Sequence, residues 1–156
     1  MATTNFIDKV TVIPTAWCNA VDNYIYGYES LTTTKEVEET DNGVTFGLNL
    51  AGGFTVTLPT VVQAGAGWKV KFRVETAPTT AYIITEDTGT DTNVLTGGFG
   101  SAELTDAAVA AYSAAFTQIN FVASLAVVGD WCTIECNGTR FYVTGHTNVQ
   151  AGVTLT

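Results

Sequence analysis

Few residues in this chain could do chemistry, and they are scattered. The only histidine, His146, stands in Gly145-His146-Thr147-Asn148. No cysteine or carboxylate lies near it at metal-ligand spacing, and no Gly-x-Ser-x-Gly elbow supplies a serine to activate. It reads as an exposed or hydrogen-bonded loop histidine. A glycosidase needs two acids flanking a bond. The candidates Glu86, Asp87, Asp91, Glu103 and Asp106 all fall near expected turns, where such residues cap and solvate. Asp87-Thr88-Gly89-Thr90-Asp91 has the look of a calcium loop but lacks the oxygen series and closing bidentate glutamate of an EF-hand. Gly65-x-Gly67 is too short for a phosphate loop. No catalytic, metal or cofactor-binding residues are expected, and the chain reads as a non-enzyme.

The three cysteines, Cys18, Cys132 and Cys136, do not form a disulfide framework. Cys132 and Cys136 share a face of one expected strand about 13 Å apart, while a disulfide needs Cα atoms within about 7 Å. Buried thiols acting as small apolar residues are expected. The aromatics Trp17, Tyr24, Tyr26, Tyr28, Trp68, Trp131 and Tyr142 could line a sugar-binding face, but core or subunit-interface roles are commoner.

The elements that hold these residues read mostly as strands. Asn137-Gly138 lies between two β-prone runs in Trp131–Val143, a hairpin signal with an expected type I′ turn. Asn137-Gly138-Thr139 is also a glycosylation sequon, read here as a turn only. From Val44 onward the period is two. Val44, Phe46, Leu48 and Leu50 alternate with polar or small residues, as do residues 54–58 up to Pro59. Trp68, Val70, Phe72 and Val74 oppose Lys69, Lys71, Arg73 and Glu75. Further strands are expected at 81–85, 117–122 and 153–155, with loops at 64–67 and 97–100 and a loop or strand over 101–115. That makes eight or nine short strands, the pattern of an all-β sandwich or jelly-roll-like body over residues 44–156. Residues 1–43 read as an N-terminal arm. It holds one short helix at 15–26, framed by Pro14 and Gly27, and a charge-rich, solvated connector at 28–43. No internal repeat is visible.

Bulk composition agrees with a folded domain. The chain has 156 residues, 46% hydrophobic and only 13% charged, which argues against disorder in the body. Fifteen acids against six bases give a net charge of −9, which disfavours binding to nucleic acid or to an anionic membrane. No window holds the ~20 apolar residues of a membrane helix, and residues 1–6 do not read as a signal peptide. A soluble protein made in the cytosol is expected.

Several segments bring a family into view. Phe54-Thr55-Val56-Thr57-Leu58-Pro59, Ala64-Gly65, Trp68-Lys69-Val70-Lys71-Phe72 and Ile119-Asn120-Phe121-Val122-Ala123-Ser124 leading to Gly129-Asp130-Trp131 resemble small virion proteins of tailed bacteriophages. So does Asn137-Gly138-Thr139-Arg140-Phe141-Tyr142-Val143-Thr144-Gly145, which is similar to their Asp-Gly-Thr-x-Trp-Tyr-Val-x-Gly. Here Asn137 stands for the aspartate and Phe141 for the tryptophan. Together they span roughly residues 54–156. The type most resembled is the capsid decoration, or cement, protein. That resemblance implies a homotrimer on the outer capsid surface of the virion, with the major capsid protein and its own copies as partners, strengthening the head. Asn5–Trp17 resembles the opening of phage tail fibre and spike proteins, so a short tail fibre or tail adaptor is the first alternative. A carbohydrate-binding β-sandwich module is the second. Capsid and subunit contacts are expected from the arm, at Phe6, Ile7, Val10, Val12, Trp17, Tyr24 and Tyr26.

Overall fold

A computed structural model of the chain describes residues 27–103 and 111–156. The helix expected at 15–26 lies outside them. The described residues form twelve strands in two sheets. The seven-stranded sheet holds β1 (Tyr28–Leu31), β3 (Thr45–Leu48), β5 (Ala66–Val74), β7 (Leu95–Ser101), β8 (Tyr112–Phe116), β10 (Trp131–Asn137) and β11 (Phe141–Thr147), in the order β1-β3-β5-β10-β11-β7-β8. The five-stranded sheet holds β2 (Lys35–Glu36), β4 (Thr55–Thr57), β6 (Tyr82–Thr85), β9 (Gln118–Phe121) and β12 (Val153–Leu155), in the order β12-β9-β6-β4-β2. The fold is an all-β, sandwich-like body.

The alternation predicted from Val44 onward sets which side chains enter the core. Phe46, Leu48, Val56, Val70, Phe72, Val74, Ile84, Ile119, Phe121, Ile134, Phe141 and Val143 are buried between the sheets. Their neighbours along each strand face out, as a period of two requires. Four ring pairs add directional packing, including the stacked Phe46–Phe72 at 5.3 Å and the edge-on Trp68–Phe141 at 5.8 Å. Each such pair adds about 0.5–1.5 kcal/mol beyond area burial.

The winding of the chain has no local mark in the sequence. From β1 to β6 the chain switches sheet at every strand. As a result β1, β3 and β5 pair in parallel in one sheet, while β2, β4 and β6 pair in parallel in the other. Parallel neighbours need a long crossover, and here a strand of the opposite sheet supplies it. The remaining pairs are antiparallel, β7–β8 and β10–β11 between successive strands and β5–β10, β6–β9 and β9–β12 across the chain, except for the parallel β7–β11. All loops after β1, β3 and β5, and the loop before β10, therefore gather at one end of the sandwich. The segments 37–44, 58–65, 86–94 and 137–140 gather at the other.

Four local expectations are corrected. Residues 28–43 are not a detached connector. They carry β1 and β2, and Leu31 and Val37 are buried at 4% and 3% exposure. Charged residues are tolerated there because both are edge strands with one open side. The glycine-rich run 97–100 is strand, inside β7. Ala66 and Gly67, read as loop, open β5, preceded by a short helix α1 (Val61–Ala64) capped reciprocally by Thr60 and Gln63. The hairpin turn is centred one residue later than Asn137-Gly138. Gly138 has a φ of +90°, whereas Asn137 is not in the left-handed region. Its Oδ1 instead accepts from the backbone N–H groups of Thr139 and Arg140, both at 2.9 Å, an Asx turn that shifts the centre to Gly138 and Thr139. Within 101–115, residues 112–115 belong to β8.

Candidate functional site

The contact residues expected in the arm, Phe6, Ile7, Val10, Val12, Trp17, Tyr24 and Tyr26, lie outside the described residues, as do Cys18 and Asp106. The arm's attachment point is defined. Gly27 accepts a hydrogen bond from the Thr45 N–H at 2.8 Å and leads into β1, an edge of the seven-stranded sheet.

The carboxylates that could suggest an active pair are used as ties. Glu86, 1% exposed, accepts from the backbone N–H groups of Asn93 and Val94 at 2.8 and 2.9 Å. Asp91, 7% exposed, accepts from the N–H of Val61 at 2.8 Å and so fixes the start of α1. Asp87 accepts from Gly89 N–H within its own turn, and Glu103 from Gln150 N–H. Among the described residues no group of three or more His, Cys, Asp or Glu side chains could hold a metal ion. Cys132 and Cys136 are buried free thiols, and burial pushes both thiol pKa values up. Trp68 is a core residue at 2% exposure.

A cleft of about 520 Å³ opens beside β2, lined by Glu36, Glu38, Glu39 and Asp87 with Leu58, Pro59 and Gln63. Glu38 is already engaged there, capping a 3-10 turn reciprocally with Asp41. Lys35 lies next to it, 3.3 Å from Glu29 and 3.5 Å from Asp41. Partial burial works against its charge, but the two carboxylates outweigh that and hold its pKa up.

The outward face of the seven-stranded sheet collects a different set. Lys69, Lys71 and Arg73 alternate with the buried residues of β5, Trp131, Thr133 and Glu135 with those of β10, and Tyr142, Thr144 and His146 with those of β11. Register places them in rows. Arg73 is opposite Trp131, which is opposite His146. Lys71 is opposite Thr133, which is opposite Thr144. The Lys71 ammonium sits 4.7 Å from the centre of the Trp131 ring, a cation–π contact. His146 is thus a strand residue in the middle of a sheet, not a loop residue. The alternation Phe141, Val143, Gly145, Thr147 already carried that signal.

At the β1 edge of this face Tyr28 donates a hydrogen bond to Glu75 at 2.6 Å, and Arg73 forms an ion pair with the same carboxylate at 3.1 Å. The tyrosine hydrogen bond, then the guanidinium, hold the Glu75 pKa below the ordinary glutamate value, while the carboxylate raises that of Tyr28. The stabilisation from Glu75 is therefore complete above ~4.3, the unfolded value of a glutamate, and fades as pH falls through the lower folded value. In Tyr28→Phe the Glu75 pKa should rise toward the ordinary range, read by carboxylate NMR titration. No rise would mean that Arg73 alone sets it.

Compared with known proteins, the chain matches no family model and no curated protein.

Proposed function

We propose that this protein is a structural component of a bacteriophage particle, a capsid decoration protein that binds the outer capsid surface, acts as a homotrimer and works without catalysis. The observation that carries this reading is the use made of the reactive groups. Buried acids hold loops to the body through backbone N–H groups, and both described thiols are core residues. Such a body is organised for rigidity. The motifs similar to phage virion proteins add support, because they fall on strands of both sheets, β4 and β9 in one and β5 and β11 in the other, and their apolar residues share one core.

In this reading residues 1–26 are the adhesive element. They join the body at an edge strand, and many weak copies add up through avidity. A net charge of −9 keeps decorated particles apart. The test is co-sedimentation with undecorated heads. Full-length protein should pellet with them. A variant lacking residues 2–26 should keep its β circular-dichroism spectrum, lose head binding by at least ~100-fold, and remain trimeric. Full decoration by the truncated protein would overturn the role of the arm. A tagged copy seen by electron microscopy on tails alone would favour the tail-fibre reading instead.

A further inference from the structure

We propose that the outward face of the seven-stranded sheet binds an acidic polysaccharide, with the Lys71 ammonium receiving a ligand carboxylate. The inference does not depend on where the protein resides.

The first observation is Lys71 itself. Its ammonium is held 4.7 Å from the Trp131 ring centre, and among the described residues it forms no ion pair. In a chain with fifteen acids and six bases, a positioned lysine without a carboxylate partner is a cation with donors to spare. The ring contact restrains the long side chain, so less rotamer freedom is lost on binding.

The second observation is the pattern around it. Lys69, Lys71 and Arg73 stand two residues apart on one face of β5, a ladder with a step of about 6.6 Å. A linear polyanion of moderate charge density fits such a ladder. A double-stranded nucleic acid carries one charge per about 1.7 Å of axis, far more densely than this ladder is spaced. Arg73 is balanced by Glu75 at 3.1 Å, and Lys69 has Glu135 at the opposite register position without an ion pair between them, whereas the position opposite Lys71 holds Thr133. This leaves Lys71 as the anchor.

The third observation separates a sugar chain from an acidic peptide. β5, β10 and β11 are interior strands with both edges paired, so an extended peptide finds no main chain to pair with, the usual source of its affinity on a sheet. The face offers rings and hydroxyls instead. Trp131, Tyr142 (48% exposed) and His146 stand beside Thr133 and Thr144. Those groups serve sugar rings and their hydroxyls.

Full-length protein should be retained on immobilised polygalacturonate at low ionic strength, released by salt, and not retained on dextran. Lys71→Gln with Arg73→Gln should weaken retention about tenfold or more, equivalent to about 1.4 kcal/mol. Arg140→Gln, which removes a charge in the turn between β10 and β11 and not on the β5 ladder, should change it little. Trp131→Ala should also weaken binding. Should that variant not fold, Lys71→Gln alone carries the test, since it alters only an outward side chain. Three results would overturn the proposal: no retention on polygalacturonate, equal retention of the Lys71/Arg73 variant, or retention on poly-glutamate as strong as on polygalacturonate. The last would mark simple anion exchange.

Discussion

Asp130→Ala should cost roughly 3–5 kcal/mol of folding stability, although Asp130 touches no proposed ligand. Its carboxylate is fully buried. One oxygen accepts from the Val127 N–H at 2.9 Å. The other accepts from the Asn148 N–H at 2.8 Å and from the Asn148 side-chain amide at 2.9 Å. These bonds tie the loop that enters β10 to the loop that leaves β11, and the Asp130 carbonyl also accepts from Val74 N–H at 2.8 Å. Hydrogen bonds to a charged acceptor contribute about 1.5–3 kcal/mol each, and every N–H left unpaired in the interior adds a desolvation cost. Alanine removes the acceptors and leaves the donors. Urea unfolding at neutral pH measures the loss, and the melting temperature should fall by about 10 °C or more for a chain of this size. Asp130→Asn, which keeps the shape and one acceptor, should fall between the two. A loss under about 1 kcal/mol would mean that water takes over the carboxylate's role.

Gly97→Ala should be comparably damaging, at least about 3 kcal/mol, because two constraints coincide at that residue. Its φ is +128°, a region that residues with a Cβ avoid. An added methyl would also run into the backbone of Val143, its partner in the parallel β7–β11 ladder. Backbone cannot move aside as a flexible side chain can. The ladder would have to open, exposing Leu95 and Phe99, which are 0% and 5% exposed. Gly100, three residues on in the same strand, supplies the control. There an added Cβ finds only the His146 ring edge at 3.8 Å and the backbone is ordinary, so Gly100→Ala should stay within about 0.5 kcal/mol of wild type. Matched urea midpoints for the pair would overturn the close-approach argument.

These two residues show where local sequence reading fails. Asp130, between Gly129 and Trp131, has the composition of a turn, and turn aspartates are usually solvated. Nothing in the neighbouring residues reveals that Asn148 will arrive beside it. The run Gly97-Gly98-Phe99-Gly100 reads as loop because glycine weakens an isolated strand. Here the glycine is required by a partner strand more than forty residues away. The cation–π pair of Lys71 and Trp131 was invisible for the same reason, since each residue separately looks like an ordinary outward position. His146 was within reach, because the alternation of β11 continues through it. The charge-rich stretch 28–43 misled in the other direction. Its charges mark open edges, yet Leu31 and Val37 were the signal that one side enters the core.

The sequence by itself determined the class of the fold and which side of each central strand is buried. A period of two is written in the side chains and needs no knowledge of partners. Strand order, the parallel winding of the first six strands and the grouping of Arg73, Lys71, Trp131 and His146 on one face were decided only in the tertiary structure. Pairing depends on which distant strands bury the same core together, and two strands with the same alternation carry no local mark of which neighbour, or which direction, they will take.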